Sequence, residues 1–168
     1  MSREDWDRYH IGAAMHASTK SKDPSTKVGC VLVGRANNVL STGFNGFPRG
    51  VGETMLRSVE GKGTAVLDEA RWTRPVKYKF VEHAERNAVY NAARHGVALD
   101  GATAYLNYAP CPCTDCARAL IQVGVVAVVG PDIPFPGAGA GVHYDVGDIA
   151  LVMLKEAGVE LRTVKWGT

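Results

Sequence analysis

The stretch VEHAERNAVYNAARHG, residues 81–96, decides how the rest of the chain is read. From His83 onward it holds strong helix formers, and Gly96 stands where a helix C-cap belongs, so a helix is expected over 83–96. It opens on His83, with Glu85 two residues later. A second fragment bears on it: PCPCTDC, residues 110–116. Cys113 and Cys116 are three apart at the start of another expected helix, 114–123, which Gly124 stops. That spacing puts both sulfurs on one side of the first turn. The positive end of the helix lowers thiol pKa and favours the thiolate, the form that binds metal. Pro112 suits a position at the helix start, where no backbone N–H is needed.

Cys-x-x-Cys is a familiar half-site for zinc. His83 is a natural third ligand because it too opens a helix. One histidine and two cysteines leave a fourth position for water, which is the arrangement of catalytic zinc. Zinc there makes water ionise far more easily than it does in bulk. Glu85, in the same first turn as His83, points across the mouth of such a site and shuttles protons. Taken singly, these residues have plainer readings. His83 is a cap or core histidine, Cys-x-x-Cys is a redox pair or half of a structural zinc site, and Glu85 is a first-turn acid that suits the dipole. Their combination singles out the catalytic reading. Cys111 lies two residues from Cys113, the wrong spacing for that helix face. Cys30 lies in an apolar strand and reads as core. His95 reads as a C-terminal cap. His10, His16 and His143 have no partner that spacing can name.

The whole chain sets the frame. Its 168 residues suffice for one domain with a real core, spanning 1–168. With 46% hydrophobic and 21% charged residues, the composition is that of a soluble globular protein. A formal charge of +2 argues against a broad electrostatic grip on nucleic acid. No apolar run approaches the ~20 residues of a membrane helix. The opening MSREDWDRYH has no apolar h-region, so a cytoplasmic protein is expected, in the host cytoplasm if the chain is viral. Thiols stay reduced there, and three of the four cysteines crowd into six residues, so metal binding is expected over disulfides.

Working outward, residues 4–20 have a helical apolar spacing. VGCVLVG (28–34) is a buried strand, Asn37-Asn38 a turn, and VLSTGFN (39–45) the second arm of a hairpin. Residues 46–80 form a long Gly- and Pro-rich stretch with some helix around 64–72. Strands follow at 102–108, 125–130 and 159–166, with a loop at 131–141 and an amphipathic helix at 148–158. This alternation predicts a mixed or parallel sheet covered by helices.

His-x-Glu followed by Pro-Cys-x-x-Cys is the signature of zinc-dependent nucleobase deaminases, and His83, Glu85, Pro112, Cys113 and Cys116 match all of it. SKDPSTKVG (21–29), STGFNGFPRG (41–50) and HAERNA (83–88) extend the likeness. On these motifs the chain resembles the deoxycytidylate (dCMP) deaminases from about residue 10 to 130, and again in MLKEAGVEL (153–161). Cytidine deaminases generally carry Cys where this chain has His83. The resemblance implies an α/β, cytidine-deaminase-like three-layer sandwich, with a mixed sheet of about five strands flanked by helices. It implies a hydrolase that turns dCMP and water into dUMP and ammonia, with a 5-substituted dCMP as a variant substrate. Zn²⁺ would be held by His83, Cys113 and Cys116, and Glu85 would move protons. Asn45 would contact the sugar, the Ala84 backbone the base edge, and Ser25 would line the nucleotide site. Phe135 or Tyr144 would supply an aromatic face. Gly46, Phe47 and Arg49 would belong to a regulatory site for dCTP, or for dTTP with Mg²⁺. A homo-oligomer, with a hexamer among its forms, is implied as well.

The pattern breaks after residue 130. PDIPFPGAGAGVHYD (131–145) replaces the aromatic and basic residues of relatives, and no Lys or Arg occurs between Arg118 and Lys155. A 5′-phosphate would have to find Arg49, Lys77, Lys79, or Arg118 from a neighbouring subunit. Two other readings stay open. One is a zinc deaminase of another base, in tRNA, in single-stranded DNA or on a riboflavin-pathway pyrimidine. The other is a non-catalytic zinc-binding module closed by a fourth ligand, Cys111.

Overall fold

The computed structural model describes residues 2–52, 71–134 and 148–166. In chain order the elements are α1 (Arg3–Ser18), β1 (Gly29–Val33), β2 (Val39–Phe44), α2 (Lys77–Phe80), α3 (Ala84–Arg94), β3 (Thr103–Leu106), α4 (Thr114–Gln122), β4 (Ala127–Pro131), α5 (Asp148–Glu156) and β5 (Glu160–Val164). Ser2 opens α1 with a capping box: its hydroxyl accepts from the Asp5 N–H, and the Asp5 carboxylate accepts from the Ser2 N–H. The β1–β2 hairpin turns at Asn37, whose φ of 60° is the left-handed geometry that Asn tolerates. The helix expected around 64–72 falls almost wholly outside the described residues, and so does most of the 131–141 loop.

The five strands run in the order β2-β1-β3-β4-β5. β1 is antiparallel to β2 and β3, while β3–β4 and β4–β5 are parallel, so the sheet is mixed, as expected. β1 is buried on both faces, which explains its unbroken apolar sequence. Val31 and Val33 meet Ile11 and Ala14 of α1 on one face. Cys30 and Leu32 meet Ala84, Ala88 and Ala92 of α3 on the other, beside Leu106, Leu120 and Leu154. Three layers result, and each fully buried Leu contributes about 1.5–3 kcal/mol. Small alanines along α3 let it lie close to the sheet. Gly43 of β2 takes this furthest: a Cβ there would fall 2.2 Å from the Ala84 carbonyl and 2.3 Å from the Ala88 nitrogen. No helix among the described residues is long and apolar enough to cross a membrane.

β3 ends two residues before the expected limit of 108. The cause is Asn107. Its side chain accepts from the Gly29 N–H at 3.0 Å and donates to the Lys27 carbonyl at 3.1 Å, replacing ladder bonds. The chain leaves the sheet there and carries Tyr108 toward the N-terminus of α3.

Candidate active site

His83 is the N-cap of α3 and Cys113 the N-cap of α4, both with extended backbone, and neither side chain caps its own helix. They face each other instead. His83 Nδ1 lies 3.3 Å from Cys113 Sγ and 3.4 Å from Cys116 Sγ, and the three ligand atoms all fall within 4.8 Å of one another. A tetrahedral zinc with ordinary Zn–N and Zn–S lengths requires N···S edges of about 3.5 Å, so this donor set fits the ion. Arg86 ties the two helix starts together, pairing with Glu82 before α3 and with Asp115 of α4. Cys111 is outside the metal group among the described residues, so the group offers three protein ligands and not four.

The electrostatics suit a cation. The Cys113 thiol is pushed down to about 4 by its hydrogen bond with Cys116 and then, against burial, by His83. Cys116 is driven up, first by the same bond with Cys113 and then by burial. Burial opposes charge on His83, but the Cys113 bond and the Glu85 charge outweigh it and raise its pKa. The low Cys113 value marks a thiol that readily gives up its proton, and metal binding requires deprotonated sulfur ligands.

Glu85, in the first turn of α3, is only 2% exposed. It lines one pocket together with His83, Ala84 and Cys113. Tyr108 Oη donates to Glu85 Oε1 at 2.6 Å. Burial, and next the Glu85 charge, hold the Tyr108 phenol well above its ordinary pKa, so it stays a donor. Sequence reasoning missed Tyr108. A signal existed: it shares strand parity with Ala104 and Leu106, the face that meets α3. Ala84 starts α3, where the first-turn amides have no intrahelical acceptor.

The opposite wall is a buried polar network. Lys77 pairs with Asp23 at 2.6 Å, both nearly inaccessible, and also donates to Ser25 Oγ at 2.7 Å. Burial works against the Asp23 charge, but the Lys77 bond and backbone N–H groups prevail and hold its pKa below the usual value. Asn45 Nδ2 donates to Asp23 Oδ2 and to the Thr26 carbonyl, while Oδ1 accepts from the Val28 N–H. Both Asn45 N–H bonds thus serve the wall, and Oδ1 keeps one lone pair for a ligand. Ser25, expected to line the nucleotide site, has its hydroxyl engaged by Asp23 and Lys77, and the pocket surface here is Asp23, Thr26 and Asn45. Sequence reasoning gave Asp23 and Thr26 no role.

The NGFPRG loop points three ways. Asn45 faces the pocket. Phe47 stacks on Trp72, with ring centroids 4.3 Å apart, and packs on Phe80. Arg49 donates to Asn91 Oδ1 at 2.7 Å, beside an outer groove that also includes Tyr90 and Arg94 of α3. Gly46 exchanges backbone hydrogen bonds with Glu82 and so pins the residue before His83. Of the cations considered for a phosphate, Lys77 lines the pocket but is paired with Asp23. Arg118 pairs with Asp115, Lys79 is exposed, and Arg49 lies in the outer groove. Phe135 and Tyr144 lie outside the described residues.

A family model described as the cytidine and deoxycytidylate deaminase zinc-binding region matches residues 4–130. A probable deoxycytidylate deaminase of Drosophila melanogaster is 34% identical over 125 residues, 74% of this chain and 58% of the relative. The deoxycytidylate deaminase of Mus musculus is 34% identical over 128 residues, 74% of this chain and 64% of the relative. The chain thus spans less than two thirds of the length of these curated relatives. The crystal structure of dCMP deaminase from the cyanophage S-TIM5 in complex with dCMP and dUMP matches with a TM-score of 0.67 at 25% identity, over 98% of this chain and 99% of that one. The expected fold class is therefore borne out, and the chain belongs to the cytidine and deoxycytidylate deaminase zinc-binding family.

Proposed function

We propose that the chain, as a single deaminase domain, hydrolyses dCMP to dUMP and ammonia. The observation that carries the reading is a buried carboxylate, Glu85, in one pocket with a His/Cys/Cys group of three ligands. The names of the relatives point to the same substrate, and the S-TIM5 enzyme is described with dCMP and dUMP. His83, Cys113 and Cys116 hold the zinc, which when bound acidifies water and so supplies the nucleophile at neutral pH.

The chain's own residues do the rest. Glu85 takes the proton of the attacking water and delivers it to N3 of the cytosine, which makes C4 electrophilic. As oxygen bonds to C4, Glu85 carries the second proton to the exocyclic nitrogen. The C4–N4 bond then breaks and ammonia departs. The Ala84 N–H meets the base edge, and the remaining Asn45 lone pair accepts from a sugar hydroxyl. Burial of the pocket floor excludes bulk water, so proton transfer stays on Glu85. Arg49 and Arg94 at the outer groove supply positive charge for an anionic effector of the dCTP or dTTP–Mg²⁺ kind in a homo-oligomer. The non-catalytic module reading is disfavoured by the position of Cys111, which does not close the ligand set.

The test is a product assay of zinc-loaded protein with dCMP, dCTP, deoxycytidine and 5-methyl-dCMP, with Glu85→Ala as control. Conversion of dCMP by the wild type alone is expected. Turnover of another compound in preference redirects the substrate assignment, and no turnover of any sinks the reading.

A further inference from the structure

Glu85 is asked to serve two atoms of the base in turn, so its carboxylate must keep one orientation while protons come and go. Among the described residues one donor reaches it, Tyr108 Oη, 2.6 Å from Oε1. A hydrogen bond from a hydroxyl to a carboxylate at this length is of the short, charge-assisted kind. Both side chains are almost inaccessible, at 2% and 3% exposure, so water does not compete for the bond.

Backbone geometry delivers the phenol to that place. Asn107 ends β3 with its own side chain, as described above. The Ala109 N–H then donates to the Ile133 carbonyl at 2.8 Å. The segment lies directly on Gly130 of β4, where a Cβ would fall 2.0 Å from the Tyr108 carbonyl oxygen and 3.2 Å from the Pro110 nitrogen. The same short segment leads into Cys113 and Cys116, so the tyrosine and the two cysteine ligands are carried on one continuous stretch.

We propose that Tyr108 is the positioning residue of the catalytic carboxylate: its phenol fixes Oε1, which leaves Oε2 as the oxygen that moves protons. The proposal deepens the deaminase reading and rests on it. Because Phe keeps the ring and loses only the hydroxyl, Tyr108→Phe separates positioning from packing.

Two measurements on the zinc-loaded protein test it. In proton NMR, the buried Tyr108 hydroxyl gives a slowly exchanging signal far downfield. That signal is lost in Tyr108→Phe and moves upfield in Glu85→Gln. In steady-state kinetics with dCMP, Tyr108→Phe lowers kcat by about tenfold to a hundredfold, the size expected for a hydrogen bond to a charged group. KM and zinc content stay at their wild-type values, and Tm falls by no more than the few degrees that one buried hydrogen bond is worth. A wild-type kcat in Tyr108→Phe, or a loss confined to KM, overturns the positioning role. So does a loss of bound zinc, or a fall in Tm well beyond one hydrogen bond, which would make Tyr108 a structural residue. The absence of the downfield signal from the wild type, or its indifference to Glu85→Gln, overturns the bond itself. If the wild type converts no cytosine compound while the signal behaves as expected, the deaminase reading fails and the Tyr108–Glu85 bond stands.

Discussion

Two tyrosines three residues apart, on opposite faces of the sheet, each donate to a buried carboxylate. Tyr105 of β3 donates to Asp7 of α1 at 2.8 Å, and Tyr108 donates to Glu85 of α3 at 2.6 Å. Asp7 is 3% exposed and Glu85 2%. The pairs differ in what else arrives. Arg162 of β5 grips both oxygens of Asp7 at 2.8 Å, so that charge is neutralised and its acceptors are occupied. Glu85 has no such cation among the described residues, and it faces a pocket and a metal group. A saturated carboxylate joins α1 to the edge of the sheet. A carboxylate with one donor keeps acceptor positions open toward the pocket.

The sharpest way to break this comparison is to neutralise each carboxylate in turn. Glu85→Gln should retain zinc and fold while kcat falls by about 10³-fold, within the range of general acid–base catalysis. Asp7→Asn should leave kcat unchanged and lower stability by about 1.5–3 kcal/mol, because Arg162 loses its buried partner and keeps only Glu160 nearer the surface. Denaturant unfolding and turnover on both variants decide it; an active Glu85→Gln, or an inactive but stable Asp7→Asn, would undo the distinction.

Cys113→Ala should remove metal and stability together, because both helix starts lose the ion that joins them. Metal analysis and thermal unfolding check this, and a stable, metal-loaded variant would remove Cys113 from the ligand set. Gly43→Ala acts on the same face without touching a ligand. Its Cβ meets backbone atoms of α3, so the helix must move, at a cost of about 1–3 kcal/mol, with weaker zinc retention. Unchanged zinc affinity would mean that α3 can shift without carrying His83 along.

Tyr105→Phe is the partner experiment to Tyr108→Phe. It should cost about 1 kcal/mol of stability and nothing in kcat, since its hydroxyl serves the Asp7–Arg162 pair and not the pocket. The smallest effect concerns His10, on the buried face of α1 against Tyr105 and Trp6, with neither ring nitrogen hydrogen-bonded among the described residues. Burial lowers its pKa below 6.5, against the pull of Asp7. A lowered histidine pKa means that the neutral form stabilises the fold above 6.5 and that this contribution is lost as pH falls through the folded value. His10→Phe should therefore flatten Tm against pH below 6.5, whereas an unchanged slope would assign the pH dependence elsewhere.

The metal group and Glu85 were legible because each is a local feature. A histidine at one helix start and a Cys-x-x-Cys at another need only helix geometry to aim their donors, and the glycines that stop both helices mark their length. The core strands were legible from unbroken apolar runs. The reach of β3 was overestimated because propensity cannot show that Asn107 substitutes its own amide for ladder bonds. Ser25 was assigned to the pocket because its loop borders it, but the hydroxyl turned to a lysine 52 residues away.

By itself, then, the sequence determined which side chains would be gathered at the two helix starts, because ligand spacing and helix starts are set within a few residues. The tertiary structure alone decided which groups they and the pocket wall meet. The strand order sets β3 beside β1 and β4, and that order brings Tyr108 to Glu85 across 23 residues and Lys77 to Asp23 across 54. Such pairings depend on how layers stack, and a buried polar atom takes whichever partner that stacking supplies.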